Sequence, residues 1–181
     1  MSHFEFIFSL FGLLLGLSLA EVLGGAVRTL KARSRVRVGL LTPLLGLFVM
    51  VNLVSFWMGA WNAKDLIPIS YPALLTGLAV TSLYYVGASL TFPDHPDDWT
   101  NFDDYYFGHR RQVLGSIWLC NVVVFFLSWS VRGLTPTSLA LLVDGVPSLL
   151  VLAAIVSGKR IVGVVSLAVL VAFYLLVWVV I

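Results

Sequence analysis

Two carboxylates stand inside apolar runs, Glu21 and Asp144. An ionisable side chain within a membrane span is costly, and its default role is to serve an ion, a proton or a partner from the bundle interior. Glu21 lies ~10 Å along a helix axis from Arg28 at 1.5 Å per residue. Its functional reading is an acid held where an ion or a partner helix reaches it; its structural reading is a hydrogen bond to an Arg or a Tyr hydroxyl that fixes packing. Tyr84 and Tyr85 share its depth. Asp144 opens Asp144-Gly145-Val146-Pro147. Pro147 removes one helical hydrogen bond and bends the helix. The freed carbonyls beside a carboxylate make a cation or proton site, or Asp144 caps the second half of a kinked helix, or the span starts later and Asp144 is interfacial. Asn52 and Asn121 fall near mid-membrane, and with Tyr84 they would line an ion path. The alternative is helix-to-helix hydrogen bonding, worth about 0.6 kcal/mol on average; Thr81 is at similar depth.

Other chemistry is thinly represented. Asp94, His95, Asp97 and Asp98 form an acidic segment, but the glycine and terminal glutamate of a calcium loop are missing. There is no HExxH, GxSxG, phosphate loop or CxxC. The sequence therefore predicts no metal site, no cofactor and no enzyme. Cys120 is the single cysteine, so no intramolecular disulfide forms, and its place in an apolar run marks a small core residue.

These residues need helices long enough to cross a bilayer. Of 181 residues, 60% are hydrophobic and 11% charged, with a mean hydropathy of +1.00; a soluble domain carries about a quarter charged. The apolar runs are near the ~20 residues that span a ~30 Å hydrocarbon core. Six spans are predicted, over 4–27, 38–61, 71–90, 112–131, 136–156 and 160–181. Thr42-Pro43, Ser70 with Pro72, and Thr135-Pro136 serve as helix starts. Short links pair spans two with three, four with five and five with six as hairpins. The long connection 91–111 starts with Pro93 and Pro96. From Asn101, Asp103 and Asp104 it continues as an amphipathic interfacial helix carrying Phe102, Tyr105, Tyr106 and His109 ahead of helix four. No soluble domain and no repeat is visible.

Orientation follows from the basic residues. With the N-terminus outside, Arg28, Lys31, Arg33, Arg35, Arg37, Arg110, Arg111, Lys159 and Arg160 are inside, and only Lys64 and Arg132 outside. That split is nine to two of eleven. Met-Ser-His-Phe-Glu before the first run and five basic residues after it reverse the polarity of a signal peptide, so the first helix is expected to be retained. Trp61, Tyr71, Trp129 and Trp178 fall at the outer interface, and Trp99, Tyr105 and Tyr106 at the inner one. Arg33, Arg35, Arg37, His109, Arg110 and Arg111 are expected to meet anionic lipid headgroups. Charge at membrane borders is no nucleic-acid footprint.

The predicted architecture is thus an all-α integral membrane protein, a six-transmembrane-helix bundle with both termini outside, in a bacterial-type inner membrane. Gly12, Gly16, Ala20 and Gly24 form a ladder on helix one that admits another helix closely, within the chain, in a homo-oligomer or from a membrane-protein partner. Two functions fit: an oligomeric transporter or channel for a proton, cation or small solute, or a scaffold, accessory subunit or sensor that binds a partner or lipid.

Overall fold

The computed structural model describes the backbone over residues 3–65, 70–132 and 138–180, and side chains over 8–65, 70–127 and 145–177. Among the described residues the chain is helical, with no strand beyond one isolated bridge. Six α-helices run α1 His3–Ala32, α2 Leu41–Asn62, α3 Tyr71–Ser89, α4 Phe102–Arg132, α5 Ser138–Val156 and α6 Arg160–Val180, with one 3-10 turn at Pro96–Asp98. Four of them hold stretches long and apolar enough to cross a membrane: Phe8–Ala32, Leu41–Asn62, Phe102–Leu127 and Arg160–Val177. That fits a membrane protein. α3 is diluted by Tyr84, Tyr85, Thr76, Thr81 and Ser82, and only 145–156 of α5 has described side chains.

The outward faces agree with a lipid solvent. Leu13, Leu149, Val156, Ile161 and Leu176 are each well exposed, far more apolar surface than a water-soluble monomer leaves uncovered. Inside, Leu41, Leu45, Phe48, Leu114, Ile117 and Leu167 form the centre of one core.

Helix neighbours differ from the hairpin pairing the short links predict. α1 packs mainly on α3 and α2 mainly on α6, while α2 and α3 touch only sparsely. α4 with α5 and α5 with α6 do pack as neighbours. The reason is the shape of the contacts. The Phe11 ring fills the space left by Gly77, so α1 rather than α2 covers α3.

Helix ends also moved. α1 continues five residues past 27, because Arg and Lys are good helix formers and nothing breaks the run before Ala32. α3 begins as expected, with the Ser70 hydroxyl accepting from Ala73 N–H at 3.3 Å and Pro72 in its first turn. α2 does not: Leu40 is its N-cap, without a side-chain cap of its own. The start at Thr135-Pro136 lies outside the described residues. The amphipathic helical stretch expected from Asn101 ahead of helix four is present as the first turns of α4, continuous through Arg132. At 1.5 Å per residue its 31 residues measure ~46 Å, more than a ~30 Å core accommodates. The surplus is at its N-terminal end, which carries Asp103, Asp104, Arg110 and Arg111. There Phe102, Tyr105 and Tyr106 are buried in protein rather than laid on lipid.

Candidate functional site

The end of the bundle where α2, α4 and α6 start is tied together by one carboxylate. Asn101 Oδ1 accepts from Asp103 N–H at 3.0 Å and starts α4. Asp103, 4% exposed, turns back to α2. Its Oδ1 accepts the Leu41 N–H at 3.0 Å, supplying across the fold the cap that α2 lacks locally. Its Oδ2 pairs with Arg160 at 2.7 Å, the first residue of α6. Thr42 Oγ1 donates to the Phe102 carbonyl. The backbones of Arg37 and 100–102 run side by side, Arg37 N–H to Thr100 O at 3.3 Å and Phe102 N–H to Arg37 O at 3.0 Å. Gly39 makes this possible. Its φ is +31°, and a Cβ there would collide with the Asp103 carboxylate.

The acidic segment reaches the basic block. Asp94 lies 3.6 Å from Arg28 and Asp97 3.2 Å from Arg35; both pairs are exposed, so each contributes little. No group of three potential metal ligands occurs among the described residues. Phe92 is wedged between α1 and α2, its Cβ where a side chain on Gly25 would be and its ring tip against Gly46. Tyr105 Oη donates to the Leu90 and Phe92 carbonyls at 3.0 and 3.1 Å, holding that wedge.

The middle of the bundle is different. Tyr84 Oη donates to Asn52 Oδ1 at 2.7 Å, and both are buried. Tyr84 therefore serves α2, not Glu21. Cys120 Sγ donates to the Val80 carbonyl at 3.3 Å, and Trp118 Nε1 to Ser148 Oγ at 2.7 Å. The other hydroxyls here bond their own helix: Ser18 to Leu14 O, Ser55 to Val51 O and Thr81 to Gly77 O. Such back-bonding satisfies a hydroxyl without joining helices. Asn121 makes no hydrogen bond to a described residue. The side chain of Asp144 lies outside the described residues.

Glu21 is half-buried and has no hydrogen bond or ion pair among the described residues. At ~100° per residue it falls on the edge of the buried stripe of Ser18, Val22, Gly25 and Thr29, on the side of Gly24 and Arg28. Asn52 and Tyr84 do not share its site. Of the small-residue ladder, only Gly12 meets another helix within the chain, at Trp57 of α2. Gly16 meets nothing within 4 Å, Gly24 meets only Arg28, and Ala20 is exposed. Close helix contact instead uses Gly77, Gly87 and Gly163.

The expected headgroup residues divide. Arg33 and Arg111 are exposed without ion pairs among the described residues, Arg35 is shared with Asp97, and Arg37 is exposed beside the Asn101 segment. His109 is half-buried, stacked on Tyr105 at 4.1 Å with its Nδ1 3.1 Å from the Tyr105 carbonyl. Arg110 is 8% exposed. It donates to the Phe107 carbonyl at 2.7 Å and lies over the Phe107 ring, so it turns into the fold rather than out to headgroups.

Sequence reading missed Asp103 as a tie, Gly39 and Phe92. Asp103 carried a signal, an acid in a first turn, but its partners Leu41 and Arg160 are distant in sequence. Phe92-Pro93 carried none. No protein-family model, curated protein or solved structure matches the chain.

Proposed function

We propose that the chain is a six-span membrane protein with both termini outside, acting as a scaffold or accessory component that assembles through the outer face of α1, with a second copy of itself as the partner. One observation carries this. Glu21 has no hydrogen bond or ion pair among the described residues, and it lies ~60° round α1 from Gly24, on the flank of a face where Gly16 and Gly24 meet no other described helix and Ala20 is exposed. An acid in an apolar helix needs a hydrogen-bond partner. A second helix seated on Gly16, Ala20 and Gly24 would bring one within reach on the Gly24 side. The nine-to-two distribution of basic residues supports the orientation, and a bacterial-type plasma membrane suits it.

The transport reading needs Glu21 and the interior polar residues on one path. Asn52 and Tyr84 instead satisfy each other across α2 and α3. The test is energy transfer between donor-labelled and acceptor-labelled copies in vesicles, diluted with lipid. The parent should associate, Gly16→Leu should abolish association, and Glu21→Gln should weaken it by about fivefold, as expected for one interhelical hydrogen bond of ~1 kcal/mol. A parent that separates like an inert monomer, or a Gly16→Leu variant that associates normally, sinks the assignment. A proton or cation flux in the same vesicles that Glu21→Gln eliminates would establish transport instead.

A further inference from the structure

Between the inner ends of α2 and α6 runs a shallow groove lined by Leu40, Pro43, Leu44, Leu47 and Val164, all apolar. Its inner end is fixed by the Asp103 tie. Leu40 precedes Leu41, whose N–H Asp103 accepts, and Asp103 holds Arg160. Val164 is one helical turn from Arg160 and on the same face of α6. Arg160 therefore sits where the groove ends, and its side chain is 58% exposed. Two more cations flank the same point. Lys159 is exposed beside it, and Arg37 is exposed on the strand segment whose carbonyl takes the Phe102 N–H, one residue from Asp103. Neither has an ion pair among the described residues. The acids of this corner are Asp103, already committed to Leu41 and Arg160, and exposed Asp104. The cations outnumber them, and an apolar trough leads away from the surplus.

We infer that this groove binds an anionic phospholipid, an acyl chain lying along Leu40, Leu44, Leu47 and Val164 and the phosphate held by Arg160 with Lys159 and Arg37. The occupant follows from two complementarities at once. The groove is apolar along its ~10 Å from Leu40 to Leu47, enough for the upper part of an acyl chain, and its mouth is cationic where Arg160, Lys159 and Arg37 gather. Arginine presents several donors in a fork that matches phosphate oxygens, and spending one on Asp103 leaves others. A soluble anion would use the mouth and leave the groove empty; a zwitterionic lipid would use the groove and gain little from the mouth. The inference rests on the membrane reading, and not on self-association through α1.

The test reconstitutes the full chain into vesicles of phosphatidylcholine mixed with phosphatidylglycerol, re-extracts it gently and identifies the retained lipid by mass spectrometry. Phosphatidylglycerol should be enriched over its share in the vesicle. Juxtamembrane cations contribute about fivefold each, so Lys159→Gln and Arg37→Gln should each lower the enrichment by about that factor without touching the Asp103 tie. Leu44→Trp fills the groove and should reduce retention of both lipids. Equal retention of the two lipids by the parent overturns the site. So does enrichment that survives Lys159→Gln, Arg37→Gln and Leu44→Trp together, or complete displacement of the lipid by soluble glycerol phosphate. Flotation with phosphatidylcholine vesicles alone separates the premises: failure to incorporate removes the membrane reading and this one together, and incorporation without enrichment removes only the lipid site.

Discussion

The end of this bundle where α2, α4 and α6 start and its middle both bury polar side chains, yet they use them differently. At that end Asp103 joins α2, α4 and α6 through a backbone N–H and a guanidinium, and Tyr105 and Thr42 bind backbone carbonyls brought from elsewhere in the chain. In the middle, Ser18, Ser55 and Thr81 bond their own helices, and the bonds between α2, α3, α4 and α5 are single ones. Contact there is made by shape, as where Phe11 fills the place of Gly77. The difference has a physical source. Helix ends leave backbone groups without partners, and burying them demands polar ties. Helix middles have no such deficit. Where the surroundings are as apolar as the core, close approach of backbones replaces hydrophobic sorting.

That contrast is open to direct attack. Asp103→Ala should have the largest effect, destabilising the fold by about 2–3 kcal/mol, the scale of a hydrogen bond to a charged group together with an orphaned donor. Arg160 is more than half exposed, so most of that loss comes from the uncapped start of α2 and little from the ion pair. Thermal unfolding in detergent measures it, and a change below about 0.5 kcal/mol would show that this end of the bundle is held by packing after all. Gly39→Ala should cost about 2 kcal/mol, because φ is +31° and the new methyl meets Asp103. The pair sharpens the point. In an Asp103→Ala background the Gly39 change should cost clearly less, and strict additivity would mean that Gly39 serves its own turn and not the tie. Tyr84→Phe should have the smallest effect, about 0.6 kcal/mol, since it deletes one interhelical bond and keeps the ring packed on Phe56 at 4.9 Å. A Tyr84→Phe loss as large as that of Asp103→Ala would erase the distinction between the two regions.

Much of the helical framework was legible because it depends on local pattern. The apolar runs, Ser70 with Pro72, and Asn101 followed by Asp103 and Asp104 placed α3 and the start of α4 closely. The helical extension from Asn101 was also legible, but its burial was not, since a face of Phe102, Tyr105 and Tyr106 looks the same whether lipid or protein covers it. The polar candidates were found as residues, but their partners were not. Tyr84 was at the right depth for Glu21 and for Asn52 alike, and rotation of α3 about its axis chose Asn52. The glycine ladder was likewise visible, although regular spacing does not say which glycines another helix meets. Another helix comes close at Gly77, Gly87 and Gly163, whereas Gly25 and Gly46 take Phe92 from the connection after α3.

The sequence by itself determined an all-helical, membrane-like chain, because hydrophobic length and helix propensity are properties of segments. Only the tertiary structure decided that Asp103 caps α2 from 62 residues away, that Phe92 separates α1 from α2, and that Glu21 stands apart from Asn52 and Tyr84. Those outcomes depend on how helices rotate and approach. That is set by the joint fit of many side chains, with energy differences between alternative rotations too small for any one segment to reveal.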